Sequence, residues 1–252
     1  MSDYDRCKVI LSSPHMNKTP FLWLGANRAR KWPVGDKVRL LDHAAQASLP
    51  VPPGAVLLDE LFGLLLDAGV IAVQNGLVTA VDADWLHETF YESARFPRLD
   101  TPMIMRAAFS LDGADQPGDP LYAPQRAIHL TDPAQLAAGL QRVWSLAGAP
   151  THLRRDVLVM KMVAAEMLGT AVTALHSQDH ITYHPPDAAP ESLDLAQLGR
   201  FARPDPGLPP FAQRLQMLLR GARRSFPTAT WQIDWLDDGR VCWLIQVHPC
   251  PR

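Results

Sequence analysis

The sequence predicts an α/β fold (α+β in layout) of two lobes, with a mixed front half, a more strongly β back half and helices on one face of the sheet. Three observations carry this expectation. At 252 residues the chain can bury a sizeable core. Up to about residue 155, segments with helical apolar spacing alternate with short apolar runs. Beyond that point strand-like runs dominate. The expected division is an N-terminal arm at 1–30, an N-terminal lobe at 31–155 and a C-terminal lobe at 156–252. No internal repeat is visible.

In chain order, the arm carries one strand-like run, "CKVIL". "DKVRLLDHAAQA" places Val38, Leu41, Ala44 and Ala45 at helical spacing and predicts an amphipathic helix. It stops at the proline-rich turn Pro50 to Gly54. "DELFGLLLDAG" predicts a second helix, ended by Gly69. "VIAVQNGLVTAV" predicts a hairpin about Asn75-Gly76, because both residues accept the positive φ of a tight turn. "DADWLHETFYESARF" is helical, with Asp82 or Asp84 as N-cap. "PMIMRAAFS" predicts a short buried strand ending near Arg106. "DPAQLAAGLQRVWSLAG" predicts a helix capped by Asp132. In the second half "DVLVMKMV" is a continuous apolar strand, and "GTAVTALH" and "HITYHPP" are the arms of a sheet. Pro185 to Pro210 is expected as a long surface loop. "FAQRLQMLLRGARRSF" predicts a helix with one apolar and one basic face, and "TATWQIDWLDDGRVCWLIQVHPC" a closing hairpin.

Composition narrows the function. A net charge of −2 supplies no overall field for DNA, RNA or an anionic membrane. The longest apolar stretches, such as "LFGLLLDAGVIAV", are short and interrupted, which argues against a membrane span. The opening "MSDYDRCKVILSS" lacks the charged-then-apolar pattern of a secretory signal. Cys7, Cys242 and Cys250 are odd in number and not in metal-binding pairs, so free thiols in a reducing cytoplasm are expected. Neither nucleic acid nor membrane is expected as a partner.

One feature points to chemistry. Lys37 falls in the first turn of a helix, where a cation opposes the helix dipole at a cost of about 0.3–1 kcal/mol. The side chain either snorkels into water or shares an anion with the free N–H groups of the helix start.

Six segments occur in a telling order: "GDKVRLL…LPVPPGAVL", "MIMRAAFS", "LYAPQ", "LQRVWSLA", "VLVMKMVAAEMLGTAVT" and "WQIDWLDDGRVCWLIQVHP". Together they resemble the nucleotide-binding domain of phosphoenolpyruvate synthase and pyruvate phosphate dikinase, which rifampicin phosphotransferase and glucan water dikinase share. The resemblance runs from about residue 33 to the end, with gaps. It implies an ATP-grasp-like fold with nucleotide in a cleft between two lobes, and ATP and Mg2+ as cofactors.

The resemblance makes Lys37 and Arg106 phosphate contacts. Arg106 leaves an apolar strand, and a buried guanidinium needs a partner. That partner is a carboxylate such as Asp112 or, by the resemblance, a phosphate suited to its planar fork. The family's two serines after this arginine are Ala107 and Ala108 here, with Ser110 as a possible substitute. "SLDGADQPGDP" is either a glycine-bearing cover for phosphates or a plain surface loop. The strand Val157 to Val163 matches the segment that holds adenine through backbone groups, with Met160, Lys161, Met162 and Val163 along it; core is the plainer reading of "VLVMKMV". Glu166 is either a ribose contact or a solvated acid.

In the closing hairpin, a three-residue loop at Asp237 to Gly239 pairs Leu236 with Arg240 and sets Asp234 opposite Cys242. Leu244, Gln246 and His248 then share the face of Asp234. A two-residue turn instead separates Asp234 from Gln246. In the first register the carboxylate and the amide oxygen suit magnesium on a nucleotide. The family acid is usually glutamate. Relatives carry arginine where His248 stands, and that arginine steadies the transferring phosphoryl group. Catalytic roles are therefore expected for Arg106 and His248, and magnesium ligation for Asp234 and Gln246.

Two other patterns are set aside. His176, His180 and His184 repeat every four residues, a metal-like spacing only on a helix, and the segment is β-rich. "RGARRSF" lacks the aromatic interleaving of a nucleic-acid site.

Multidomain relatives continue past the last hairpin into a swivelling domain whose histidine carries phosphate. The expected activity is thus phosphotransfer from Mg-ATP to a separate protein or small-molecule acceptor. The alternatives are a nucleotide sensor without catalysis and an interaction scaffold.

Overall fold

The computed structural model describes residues 19–115, 125–148, 152–174, 178–185, 188–227 and 230–250. The expected strand at "CKVIL", Cys7 and His176 lie outside them. The chain is α/β and forms two compact units. The first holds the chain up to Trp23, Arg28–Val38 and Gly54–Met162; the second holds Leu24–Asn27, Arg39–Pro53 and the chain from Val163.

The first unit is built on a five-stranded sheet, in the order β1-β2-β9-β5-β8. These strands are β1 (Phe21–Trp23), β2 (Gly54–Leu57), β5 (Met103–Ala107), β8 (Gln125–Ile128) and β9 (Val157–Lys161), and every pairing is antiparallel. Between them run the start of α1 (Asp36–Gln46), whose residues from Arg39 belong to the second unit, and α2 (Asp59–Asp67), the hairpin β3 (Ile71–Gln74) and β4 (Leu77–Ala80), α3 (Ala83–Glu88), the two-residue strands β6 (Ser110–Leu111) and β7 (Ala114–Asp115), and α4 (Pro133–Ser145). Local signals account for most of these. Asp82 caps α3 by accepting from the Trp85 N–H, and Asp132 caps α4 by accepting from the Gln135 N–H. Asn75 and Gly76 both take positive φ in the β3–β4 turn. Met103, Met105, Ala107, Val157 and Val159 form one sheet face and pack with Leu61, Phe62 and Leu65 of α2 and Leu136, Leu140, Val143 and Trp144 of α4.

The second unit has its own antiparallel sheet, β12-β11-β10-β13-β14. Its strands are β10 (Met167–Thr173), β11 (Asp179–His184), β12 (Glu191–Leu195), β13 (Trp231–Asp237) and β14 (Cys242–Pro249). Helix α5 (Pro210–Ser225) packs on one face, where Phe211 stacks on Trp235 at 6.0 Å. The basic residues of α5 are used inside this unit: Arg214 grips buried Asp237 through Nε at 2.7 Å, and Arg223 pairs with buried Asp179. Pro50 accepts a hydrogen bond from the Leu244 N–H at 2.7 Å, which ties the proline-rich turn to β14.

Two expectations need correction. Phe21–Trp23 is not irregular arm but a strand, paired with β2 through Phe21–Leu57. The region Pro185 to Pro210 is not all loop, because Glu191–Leu195 adds to the edge of β11. β9 pairs with β2 and β5 and belongs to the first unit. His180 and His184 lie on strand β11, in keeping with the β-rich pattern of that segment. No helix among the described residues is long and apolar enough to cross a membrane. Cys242 and Cys250 are free thiols, and burial pushes the Cys242 thiol well above its ordinary range.

Candidate functional site

In the first unit, two of the expected cations converge on the end of β5. Arg106 is 3% exposed and stands in line with Leu158 of β9, on the sheet face away from α2 and α4. Its neighbour Ala107 offers a carbonyl oxygen to Lys37 Nζ at 3.1 Å. Lys37 thus reaches from the first turn of α1 to the peptide beside Arg106. The structure brings together the helix N-terminus, the lysine and the arginine.

Beside them lies a hairpin, at the start of the segment expected as either a glycine-bearing cover or a plain surface loop. Asp112 and Gly113 take positive φ, as a tight two-residue turn requires, and β6 pairs with β7 through Ser110–Asp115 and Leu111–Ala114. Both Ser110 and Asp115 lean on Gly35, the residue before α1. A Cβ at Gly35 would stand 2.9 Å from Ser110 Cβ and closer still to an Asp115 carboxylate oxygen, so glycine is needed there. The Asp115 carboxylate accepts the Lys37 backbone N–H at 2.8 Å. Ser110 is fully buried, and its Oγ has no hydrogen-bond partner among the described residues. The Asp-Gly pair is the sequence signal that would have placed Ser110 opposite Asp115.

Ser110 is held firmly. Its N–H donates to the Arg154 carbonyl at 3.2 Å and its carbonyl accepts from the Arg154 N–H at 2.9 Å. Arg154 in turn binds Glu60 at 2.9 Å and Asp156 at 3.0 Å. Asp156 is fully buried and also accepts the Asp59 N–H. Burial pushes its carboxyl up to about 6, opposed by Arg154 and the Asp59 N–H.

The second unit presents a polar sheet face opposite α5. Ile233 and Trp235 point to the helix, and Asp234, Gln246 and His248 lie on the other side. The expected register is wrong in detail. Asp237, not Asp234, pairs with Cys242; Leu236 pairs with Trp243; and Leu244 is buried beside Trp235 on the helix face. Two causes lengthen the loop. Arg214 draws Asp237 inward, and Asp238 Oδ1 accepts the N–H groups of Arg240 and Val241. A bulge at Ile245 then restores the alignment and sets Asp234 directly opposite Gln246. Thr170 of β10 flanks Asp234 on the other side.

Asp234 is 3% exposed, and its Oδ1 has no hydrogen-bond partner among the described residues. Oδ2 lies 3.4 Å from His248 Nε2. A buried carboxylate oxygen beside an amide is a hard-donor set of the kind magnesium takes, with nucleotide phosphates completing the shell. No group of three or more His, Cys, Asp or Glu among the described residues is arranged to hold a metal by itself.

The strand expected to hold adenine is placed less simply. Met160 is buried between Gly54 of β2 and Ile104 of β5, and β9 is the middle strand of its sheet. Backbone groups through Lys161 are therefore inside the ladder, and the Met162 N–H is taken by the Pro102 carbonyl. From Met162 to Glu166 the backbone lies outside any strand. Lys161 is exposed, and Glu166 lies over the β13–β14 turn, its carboxylate against Gly239.

No protein-family model and no curated protein matches the sequence. Solved structures similar to the chain include a D-alanine–D-alanine ligase from Helicobacter pylori, at 12% identity and TM-score 0.46, covering 83% of this chain and 52% of that one. A RimK domain ATP-grasp protein from Sphaerobacter thermophilus is similar at 18% identity and TM-score 0.43, covering 88% and 61%. The VanG D-Ala:D-Ser ligase from Enterococcus faecalis is similar at 11% identity and TM-score 0.44, covering 86% and 52%. The chain spans about half to three-fifths of the length of these structures. Each likeness is distant, so function is argued from this chain's own residues.

Proposed function

We propose that the chain is an ATP-grasp-type protein that binds magnesium-ATP and transfers phosphate to a separate acceptor, a histidine on another protein or a small molecule. The observation that carries this reading is the buried Asp234 carboxylate, with one oxygen unpartnered among the described residues and Gln246 directly across the strand pair. An ionised oxygen kept from water without a partner is costly, and a cation offsets that cost. Magnesium-ATP supplies the cation and the phosphoryl group. Asp234 and Gln246 would hold the metal.

Lys37, Arg106 and the N–H groups of α1 would hold phosphate oxygens. Lys37 Nζ is already positioned on the Ala107 carbonyl, so little side-chain freedom remains to be lost on binding. His248 stands where the resembled family carries arginine. Its contact with Asp234 places an imidazole next to the metal donors, with less charge for a transferring phosphoryl group.

A second reading, a nucleotide sensor, is favoured by specific residues. Ala107 and Ala108 supply no hydroxyl groups, and His248 replaces a full positive charge. Calorimetric titration of ATP with and without magnesium, followed by assay of ATP consumption, separates the two. Binding with turnover supports the transferase, binding without turnover the sensor, and no binding at millimolar ATP overturns both.

A further inference from the structure

We propose that the Asp115 carboxylate is a built-in competitor for the phosphate subsite at the start of α1, so that a phosphate binds there only by displacing it. The proposal rests on the nucleotide-binding reading above and concerns how that site is regulated. A helix N-terminus offers unpaired N–H groups and partial positive charge to one anion at a time. At α1, an 11-residue helix, the Lys37 N–H is already donated to Asp115 Oδ2 at 2.8 Å, from a residue 78 positions away in sequence. The carboxylate oxygen there stands in for a phosphate oxygen: anionic and accepting from the same backbone N–H.

A second observation marks the place as a ligand site. Ser110 lies directly across the hairpin from Asp115 and packs against the same Gly35. Its hydroxyl is fully buried and has no hydrogen-bond partner among the described residues, and its backbone is fixed by two hydrogen bonds to Arg154. A buried hydroxyl left without a partner costs stability. The Asp115 carboxylate satisfies the helix but not Ser110, whereas a phosphate, with more oxygens, can accept from both. Lys37 Nζ and Arg106 add the positive charge that favours the dianionic ligand over the monoanionic carboxylate.

The device makes the affinity of the site a difference between two anions. Removing the internal one frees the N–H groups for the external one.

The test is calorimetry of Mg-ATP and, separately, inorganic tripolyphosphate with the wild type, Asp115→Asn and Asp115→Ala. The expected result is tighter binding of both probes by Asp115→Ala, about three- to tenfold, with a smaller gain for Asp115→Asn, which keeps a neutral cap. Ser110→Ala is expected to bind both probes more weakly while the free protein melts no lower, since a buried unsatisfied hydroxyl is removed. If the wild type binds and neither Asp115 variant binds more tightly, Asp115 is an ordinary cap and only this proposal falls. If no protein binds either probe, the nucleotide reading falls and takes this proposal with it. Binding by the variants alone supports both.

Discussion

Asp234 and Gln246 face each other across adjacent strands, and one extra residue, Ile245, puts them there. Continuing the pairing Asp237–Cys242, Leu236–Trp243 and Trp235–Leu244 without a bulge would set Ile245 against Asp234 and turn Gln246 toward α5. The bulge moves the amide to the polar face and leaves Leu244 in the core. Bulges that re-aim a side chain recur beside functional sites.

Asp234→Asn is therefore expected to leave the melting temperature of the free protein unchanged or higher, because it discharges a buried oxygen that lacks a partner. It is expected to abolish the magnesium-dependent part of ATP binding. Calorimetry with and without magnesium checks both. A large loss of stability in the free protein would assign Asp234 a structural role.

Lys37→Ala is expected to weaken ATP binding by about tenfold or more, as loss of a charge-assisted phosphate contact does. The free protein loses the Ala107 hydrogen bond, worth about 1 kcal/mol, or roughly 2–4 °C in melting temperature. Equal loss of stability with and without ATP would deny Lys37 a role in binding.

The elements legible in the sequence are those with local causes. The Asp82 and Asp132 caps, the Asn75-Gly76 turn and the apolar spacing of α4 and α5 all act within a few residues. The edge strands β1 and β12 are short, and the Glu191–Leu195 segment is mostly exposed, so neither carries a strong pattern. The register of the last hairpin was not legible, because it depends on Arg214 pulling Asp237 from another element. The shared face of Asp234, Gln246 and His248 was foreseen from a pairing that does not occur, and the bulge restores it. Asp115 was invisible as part of the α1 start, since only tertiary structure brings together residues so far apart in sequence.

Gly35→Ala is expected to destabilise the free protein by about 1–3 kcal/mol, the range for forcing a group into a packed position. The added methyl meets both Ser110 and Asp115. Thermal or chemical denaturation measures this. Asp115→Ala in the same chain is expected to recover only part of the loss, because Ser110 Cβ remains.

Asp156 makes stability depend on pH. Its carboxyl titrates near 6 in the folded chain and near 3.8 when unfolded, so between those values the folded state holds the extra proton. Its contribution is favourable below about pH 4 and is lost as pH rises through 6. Asp156→Asn is expected to flatten that part of the stability profile between pH 4 and 6. Denaturant unfolding across this window checks the sign; a contribution growing with pH would contradict it.

His248→Arg is expected to raise ATP turnover, if the wild type has any, by restoring full charge beside Asp234. An unchanged rate would remove His248 as the limit on catalysis.

The most direct measurement of the central claim is a thermal melt of the wild type, Lys37→Ala and Asp234→Asn, each with and without magnesium-ATP. Ligand at a hundredfold over its dissociation constant adds about 2.7 kcal/mol to the folded state, roughly 5–10 °C for a chain of this size. The expected result is a shift of that order in the wild type, reduced in Lys37→Ala and insensitive to magnesium in Asp234→Asn. A wild type that melts at the same temperature with and without millimolar magnesium-ATP would contradict the account.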